Sequence, residues 1–186
     1  MKFIIYVADD RHELGLPPLL PLKQQNITTM LGVLNSGEIE RLLERQVIGR
    51  IGCSNAGKTY VVPISYAYDG EYVYCHTHEG MKIEYMRANP NVCFEVDHLH
   101  NMANWQSVIA SGVFEELTDP ERRVKALHKL HERILPFIAS ETVQLSPDWP
   151  FPPEELNKIP GITFRIHLTE KTGRFEMTDS ETFYAS

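Results

Sequence analysis

The sequence predicts a mainly β domain with some α: a small antiparallel barrel closed on itself, with short peripheral helices. Short β-branched and aromatic runs follow one another between residues 47 and 115. Tight turn signals between them leave little room for crossover connections. Amphipathic helical patterns are few and short. The length of 186 residues suits one domain plus an extension. With 42% hydrophobic and 23% charged residues, usage is ordinary for a globular chain that packs a core without staples.

Residues 1–29 are expected to be a poorly ordered extension, with Pro17, Pro18 and Pro21 and no amphipathic period, and residues 30–186 to be the domain. The apolar run Phe3–Ala8 meets Asp9-Asp10-Arg11, too soon for a signal core or a membrane span. Ser36 is positioned to cap a helix, with Glu38 in its first turn and Ile39, Leu42 and Leu43 at helical spacing. Strands follow at 47–54, 60–68, 71–77, 92–97 and 107–115. Asn55-Ala56-Gly57-Lys58 and Asp69-Gly70 read as hairpin turns. A short helix fits 81–88, opened by Gly80 and closed at Asn89-Pro90. Asp119-Pro120-Glu121 starts a longer helix to about Leu135, with Val124, Leu127, Leu130 and Ile134 as its apolar stripe. The five prolines of 147–160 demand irregular backbone, and strands at 162–168 and 174–178 complete the set.

Against 18 Lys+Arg stand 25 Asp+Glu, a net charge of −7. Residues 1–29 carry three charges of each sign, so the whole excess belongs to 30–186. That balance argues against a nucleic-acid backbone as partner. Three cysteines, none in a C-x-x-C pair, fit a reducing, cytoplasmic setting.

Gly52–Thr59 satisfies the phosphate-loop pattern G-x-x-x-x-G-K-[ST]. Such a loop works by opening a helix, and here the β-branched run Tyr60-Val61-Val62-Pro63-Ile64 follows instead. The reading is therefore a hairpin turn. Gly80-Met81-Lys82 passes the same test better: free amides of a first helical turn and one ammonium converge on an anion. The pairs His76/His78 and His98/His100 lack the spacing of a zinc frame, so no metal site is expected. One of His128 and His131 is expected to flank the apolar stripe. Trp105-Gln106-Ser107 is either a strand-start tryptophan with two solvated neighbours or an aromatic platform with amide and hydroxyl donors. No nucleophile motif is present, so covalent catalysis by the protein is not indicated.

Taken in order, Ile48-Gly49-Arg50-Ile51-Gly52, Val62-Pro63-Ile64-Ser65-Tyr66, Val73-Tyr74-Cys75-His76-Thr77, Gly80-Met81-Lys82, Asn89–Phe94 and Trp105-Gln106-Ser107-Val108 up to Gly112 resemble the FMN-binding split β-barrel family, the pyridoxamine 5′-phosphate oxidase-like flavoproteins. The nitroimidazole-resistance-like branch is the most similar. The resemblance covers about residues 36–130 and implies a split barrel that dimerises around FMN. It implies that Val62, Pro63 and Ile64 border the isoalloxazine through main-chain groups. His76 and Thr77 would follow the ribityl chain, Gly80 and Lys82 hold the phosphate, and Trp105, Gln106 and Ser107 complete the pocket. Arg50 is a reserve phosphate partner, and His76 is the candidate catalytic group. Met81 stands where the family often has arginine, which removes one charge from the clamp. Arg165, His167 and Arg174 do not match the substrate-binding end of the true pyridoxamine phosphate oxidases.

The expectation is a homodimeric, FMN-dependent oxidoreductase acting on a small molecule, with nitroaromatics the class the resemblance suggests and FMN preferred to FAD or haem. A flavin- or haem-binding carrier, sensor or stress module without turnover is the alternative, and a phosphate-loop nucleotide hydrolase the remote one.

Overall fold

Strands with one buried face alternate buried and exposed residues. That period is clear along much of the sheet in the computed structural model, which describes residues 29–134, 156 and 158–178. Its elements are β1 (Thr29–Val33), α1 (Ser36–Arg45), β2 (Ile48–Asn55), β3 (Lys58–Tyr68), β4 (Tyr72–Thr77), α2 (Met81–Ala88), β5 (Asn91–Asn101), β6 (Asn104–Glu116), α3 (Pro120–Ile134) and β7 (Ile162–Thr178). Among the described residues, no helix is long and apolar enough to cross a membrane.

The sheet order is β1-β7-β4-β3-β2-β5-β6, and β6 also pairs with β7, so β2 to β7 close into an antiparallel barrel. The interior is filled by Ile51, Tyr66, Val73, Phe94, Val108, Phe164 and Ile166, all inaccessible to solvent. Tyr66 donates its hydroxyl to the Leu43 carbonyl, which ties α1 across the barrel. A second apolar cluster, including Ala67, Tyr74, Leu127, Leu130, Leu156 and Ile159, seats α3 against the outside of β3 and β4. His131 is buried on α3 while His128 is exposed, as the helical stripe requires.

The Gly52–Thr59 segment is a strand, a turn and a strand. Ala56 and Gly57 have φ of 48° and 77°, the pair of positive values a tight hairpin needs. No helix follows Lys58, so this is not a phosphate loop.

Four local expectations are corrected. The cap of α1 is Asn35, not Ser36: its side chain accepts from the Glu38 amide, and Glu38 accepts from the Asn35 amide in return. His98 and His100 lie on β5, which runs past the expected end at residue 97 to a hairpin held by the Asn101 side chain. Thr29–Val33, lying at and beyond the end of the expected extension, forms β1 against the end of β7; residues 1–28 are outside the described residues. The two C-terminal strands are one strand of 17 residues. Its polar middle and Gly173 do not break it, because Leu34 and Ile39 pack within 3.0 Å of where a Cβ on Gly173 would stand. There, glycine serves close approach. Apart from Leu156 and residues 158–160, the proline-rich stretch lies outside the described residues.

Gly112 is the tightest point of the β6–β7 seam. A Cβ there would lie 2.4 Å from the Ile166 side chain and 2.9 Å from the His167 carbonyl oxygen. Gly112→Ala is expected to destabilise the domain by about 1–3 kcal/mol through overpacking. The check is a lowered urea midpoint at unchanged m-value.

Candidate functional site

β3 is paired with β2 along Lys58–Ser65, but with β4 only at Tyr66, Ala67 and Tyr68. β4 pairs with β7 along all of Tyr72–Thr77, but beyond Cys75 it no longer pairs with β3. The barrel is split there, and no described strand covers that edge of β3. The Tyr66 amide donates to the Val47 carbonyl, so the even-numbered residues of β3 turn their amides and carbonyls to β2. The open main-chain groups are therefore those of Val61, Pro63 and Ser65. Pro63 lacks an amide on the side where no strand asks for one. Val62 and Ile64 use theirs within the sheet, and the Ile64 side chain is part of the core.

β4 ends at Thr77 and the chain turns through Gly80 into α2. No side chain caps this helix. The Gly80 carbonyl accepts from Ile83 and Glu84, leaving the amides of Met81 and Lys82 without an acceptor among the described residues. Lys82 is half-buried and makes no ion pair there. The Lys82 carbonyl is 4.0 Å from the Cys53 thiol, which in turn faces the Tyr60 carbonyl on β3 at 3.7 Å. Burial raises the thiol pKa of both Cys53 and Cys75, and the nearby Lys82 charge opposes that rise without overcoming it. Thr77, Gly80, Lys82 and the open edge of β3 thus form one corner that can hold an anion and meet a flat polar ring edge.

The other expected site residues lie elsewhere. His76 is on the face of β4 opposite Cys75. Its Nδ1 is 3.1 Å from Thr163 Oγ1, and its ring donates to the Pro160 carbonyl. A neutral ring donating to Pro160 accepts from the Thr163 hydroxyl at Nδ1. Burial first, then the nearby Arg123 and His78 charges, hold its pKa down at about 4 despite the Pro160 bond. Arg123 itself donates to the Ile159 carbonyl. His76 therefore ties β4 to the segment entering β7.

Arg50 stands on the outer face of the sheet, where it donates to Asp97 and to Glu95, the latter at 2.9 Å. Those bonds raise its pKa further, Asp97 contributing most. Ser107 joins the same group by donating to Glu95 at 3.3 Å. Trp105 donates its indole N–H to Glu176 at 2.8 Å, and Gln106 faces α1. Trp105 pairs with Leu99, whereas the phosphate corner adjoins β2, whose Gly52 pairs with Cys93. Six residues of β5 separate these points, about 20 Å at the strand rise. One chain does not bring Trp105 to Lys82.

The open main-chain groups of Val61 and Ser65 were missed in the sequence, although the position of Pro63 carried the signal. A proline inside a strand marks an uncovered edge.

The sequence profile of the pyridoxamine 5′-phosphate oxidase family matches residues 35–175. The chain belongs to this family of split-barrel flavoproteins. It is 30% identical over 149 residues to an uncharacterized protein of Rhizobium meliloti, covering 76% of this chain and 93% of that one. A FAD-binding protein of Mesorhizobium loti is 30% identical with a TM-score of 0.63, covering 78% of this chain and 98% of that structure. A Bacteroides thetaiotaomicron protein named for 5-nitroimidazole antibiotic resistance shares the fold, with a TM-score of 0.59 at 20% identity over 84% and 96% of the chains. Family membership brings flavin binding, and the corner fits it: an uncommitted cation and free amides for a phosphate, beside an open polar strand edge for a ring.

The His76 pKa in the folded state lies below its ordinary 6.5. Between about 4 and 6.5 the unfolded chain binds more protons, so this stability is full above pH 6.5 and is lost as pH falls through 4. The ring is part-exposed, so the effect is expected at about 1–2 kcal/mol after screening. Urea unfolding at stepped pH should show it, and His76→Asn should flatten the dependence.

Proposed function

We propose that this chain is a homodimeric FMN-dependent oxidoreductase whose cofactor phosphate is anchored by Lys82. The observation that carries this reading is the unpaired Lys82 at the uncapped start of α2, beside the open edge of β3, in a flavoprotein family. The bound flavin supplies hydride and electron transfer. The protein's part is to hold the phosphate with Lys82 and the amides after Gly80, and to meet the ring edge with main-chain groups around Pro63. Thr77 lies along the path between these two. His76 acts here as a positioning residue that fixes the end of β4.

The separation of Trp105 and Lys82 within one chain supports the dimer reading. A second copy supplies its own Trp105-Gln106-Ser107 segment to the corner of the first. The face for this contact is the outer side of β2, β3, β5 and β6, where Ile48, Val61 and Ile109 are each more than half exposed. Arg50, held by two carboxylates, lies on that face and is not needed for the phosphate. The substrate is a small molecule, and nitroaromatics are the class that the family branch suggests. A second reading, FAD in place of FMN, is favoured by the FAD-binding relative from Mesorhizobium loti. Both flavins share the phosphate that Lys82 would hold.

Lys82→Ala removes one charge-assisted contact and is expected to weaken flavin binding about 10- to 100-fold with the fold intact. Flavin absorbance retained through gel filtration, alongside circular dichroism, measures both. Unchanged retention would refute the anchor. Anaerobic mixing of the holoprotein with NADH or NADPH is expected to bleach the flavin band; a band that persists with both donors favours the carrier without turnover.

A further inference from the structure

α1 carries Arg41 and Arg45 one turn apart, on the same side of the helix. Neither makes an ion pair or side-chain hydrogen bond among the described residues. Both line a hollow of about 490 Å³ between α1 and β6, whose far wall is the Gln106 amide. Arg174 is likewise without an ion pair among the described residues, but four other arginines differ. Arg50, Arg87, Arg122 and Arg165 are all held by carboxylates. The carboxylates near the hollow are largely engaged: Glu38 is bonded to the Asn35 amide and Glu176 to the Trp105 indole. Glu44 is the remaining acid of the lining.

A second hollow of about 200 Å³ adjoins the first through Arg45 and Gln106. Trp105, Phe175 and His98 contribute to its lining. The two together offer an arrangement with one chemical logic. Two guanidiniums at the spacing of successive helical turns match the oxygens of a diphosphate. An adjoining space with aromatic walls and polar side chains takes a planar base.

We propose that this groove binds a nucleoside diphosphate group, its phosphates on Arg41 and Arg45 and its base against Trp105. The inference rests on the proposed function in one respect: Trp105 and Gln106 are also the segment a second copy would bring to the flavin corner, so the groove adjoins that corner and differs from it in its cations, Arg41 and Arg45 against Lys82. The same group occurs in the adenylate half of FAD and in a nicotinamide dinucleotide.

The test is calorimetric titration of the purified full chain with ADP and, separately, with inorganic pyrophosphate. ADP is expected to bind well below about 1 mM, with affinity falling as salt rises. Arg41→Gln/Arg45→Gln should weaken both ligands at least about 10-fold. Trp105→Leu should weaken ADP and leave pyrophosphate unchanged. Lys82→Ala should leave ADP affinity unchanged while releasing flavin. Selective loss of FAD over FMN in the double arginine variant would support the adenylate half of FAD as occupant. A raised KM for NADPH at unchanged flavin content would support the dinucleotide.

Equal ADP affinity in the parent and the double arginine variant, or no binding at about 1 mM, overturns the proposal. Loss of ADP binding in Lys82→Ala also overturns it, since the nucleotide would then sit at the other corner. Retention of flavin by Lys82→Ala with ADP binding intact would instead defeat the anchor and leave the groove standing.

Discussion

The structure depends on β7 pairing with three strands at once. Its first half lies between β4 and β6, and its end carries β1. β4 follows β7 along its whole length but β3 for only three residues, so the rest of the β3 edge is left open. The same pairing brings β7 close against β6 and against the β1–α1 connection, at Gly112 and Gly173. The opening that can meet a cofactor is thus a by-product of how the barrel closes.

Charge decides which parts of that opening can act. An acidic domain repels an anionic ligand at long range, so binding needs cations that its own carboxylates have not taken. Most surface arginines here are taken. Arg87 is shared by Glu79 and Glu116, Arg50 by Glu95 and Asp97, and Lys171 is held by Glu40 while also donating to the Tyr68 hydroxyl. Lys82, Arg41 and Arg45 are among the cations without an ion pair in the described residues, and they lie at two different corners of the barrel. The net charge therefore narrows the anion sites of this chain rather than excluding them.

Much of the fold was legible because it is local. The Ala56-Gly57 turn, the Asp119 cap and the short helix between β4 and β5 each depend on a few adjacent residues, and each appears where the sequence places it. The Asn35 cap was misplaced by one residue because Asn35 and Ser36 are both capable caps, and only the reciprocal bond with Glu38 separates them. β1 gave no periodic signal: Met30, Leu31 and Val33 are all largely exposed, so neither face is marked by polarity. The expected strands 162–168 and 174–178 left Gly173 between them, because a sequence does not show the side chains that crowd a missing Cβ.

By itself the sequence determined the elements, the turn chemistry, the charge balance and the lysine at the start of α2, since each follows from residues within one or two turns of one another. Only the tertiary structure decided which strand edge stays open, which face of β4 His76 occupies, and which arginines keep their charge free. Those properties belong to pairs such as Arg50 with Asp97, His76 with Thr163 and Trp105 with Glu176, which are 47, 87 and 71 residues apart. No local pattern encodes such distant partners, because contact between them is made by the register of strands that meet only when the barrel closes.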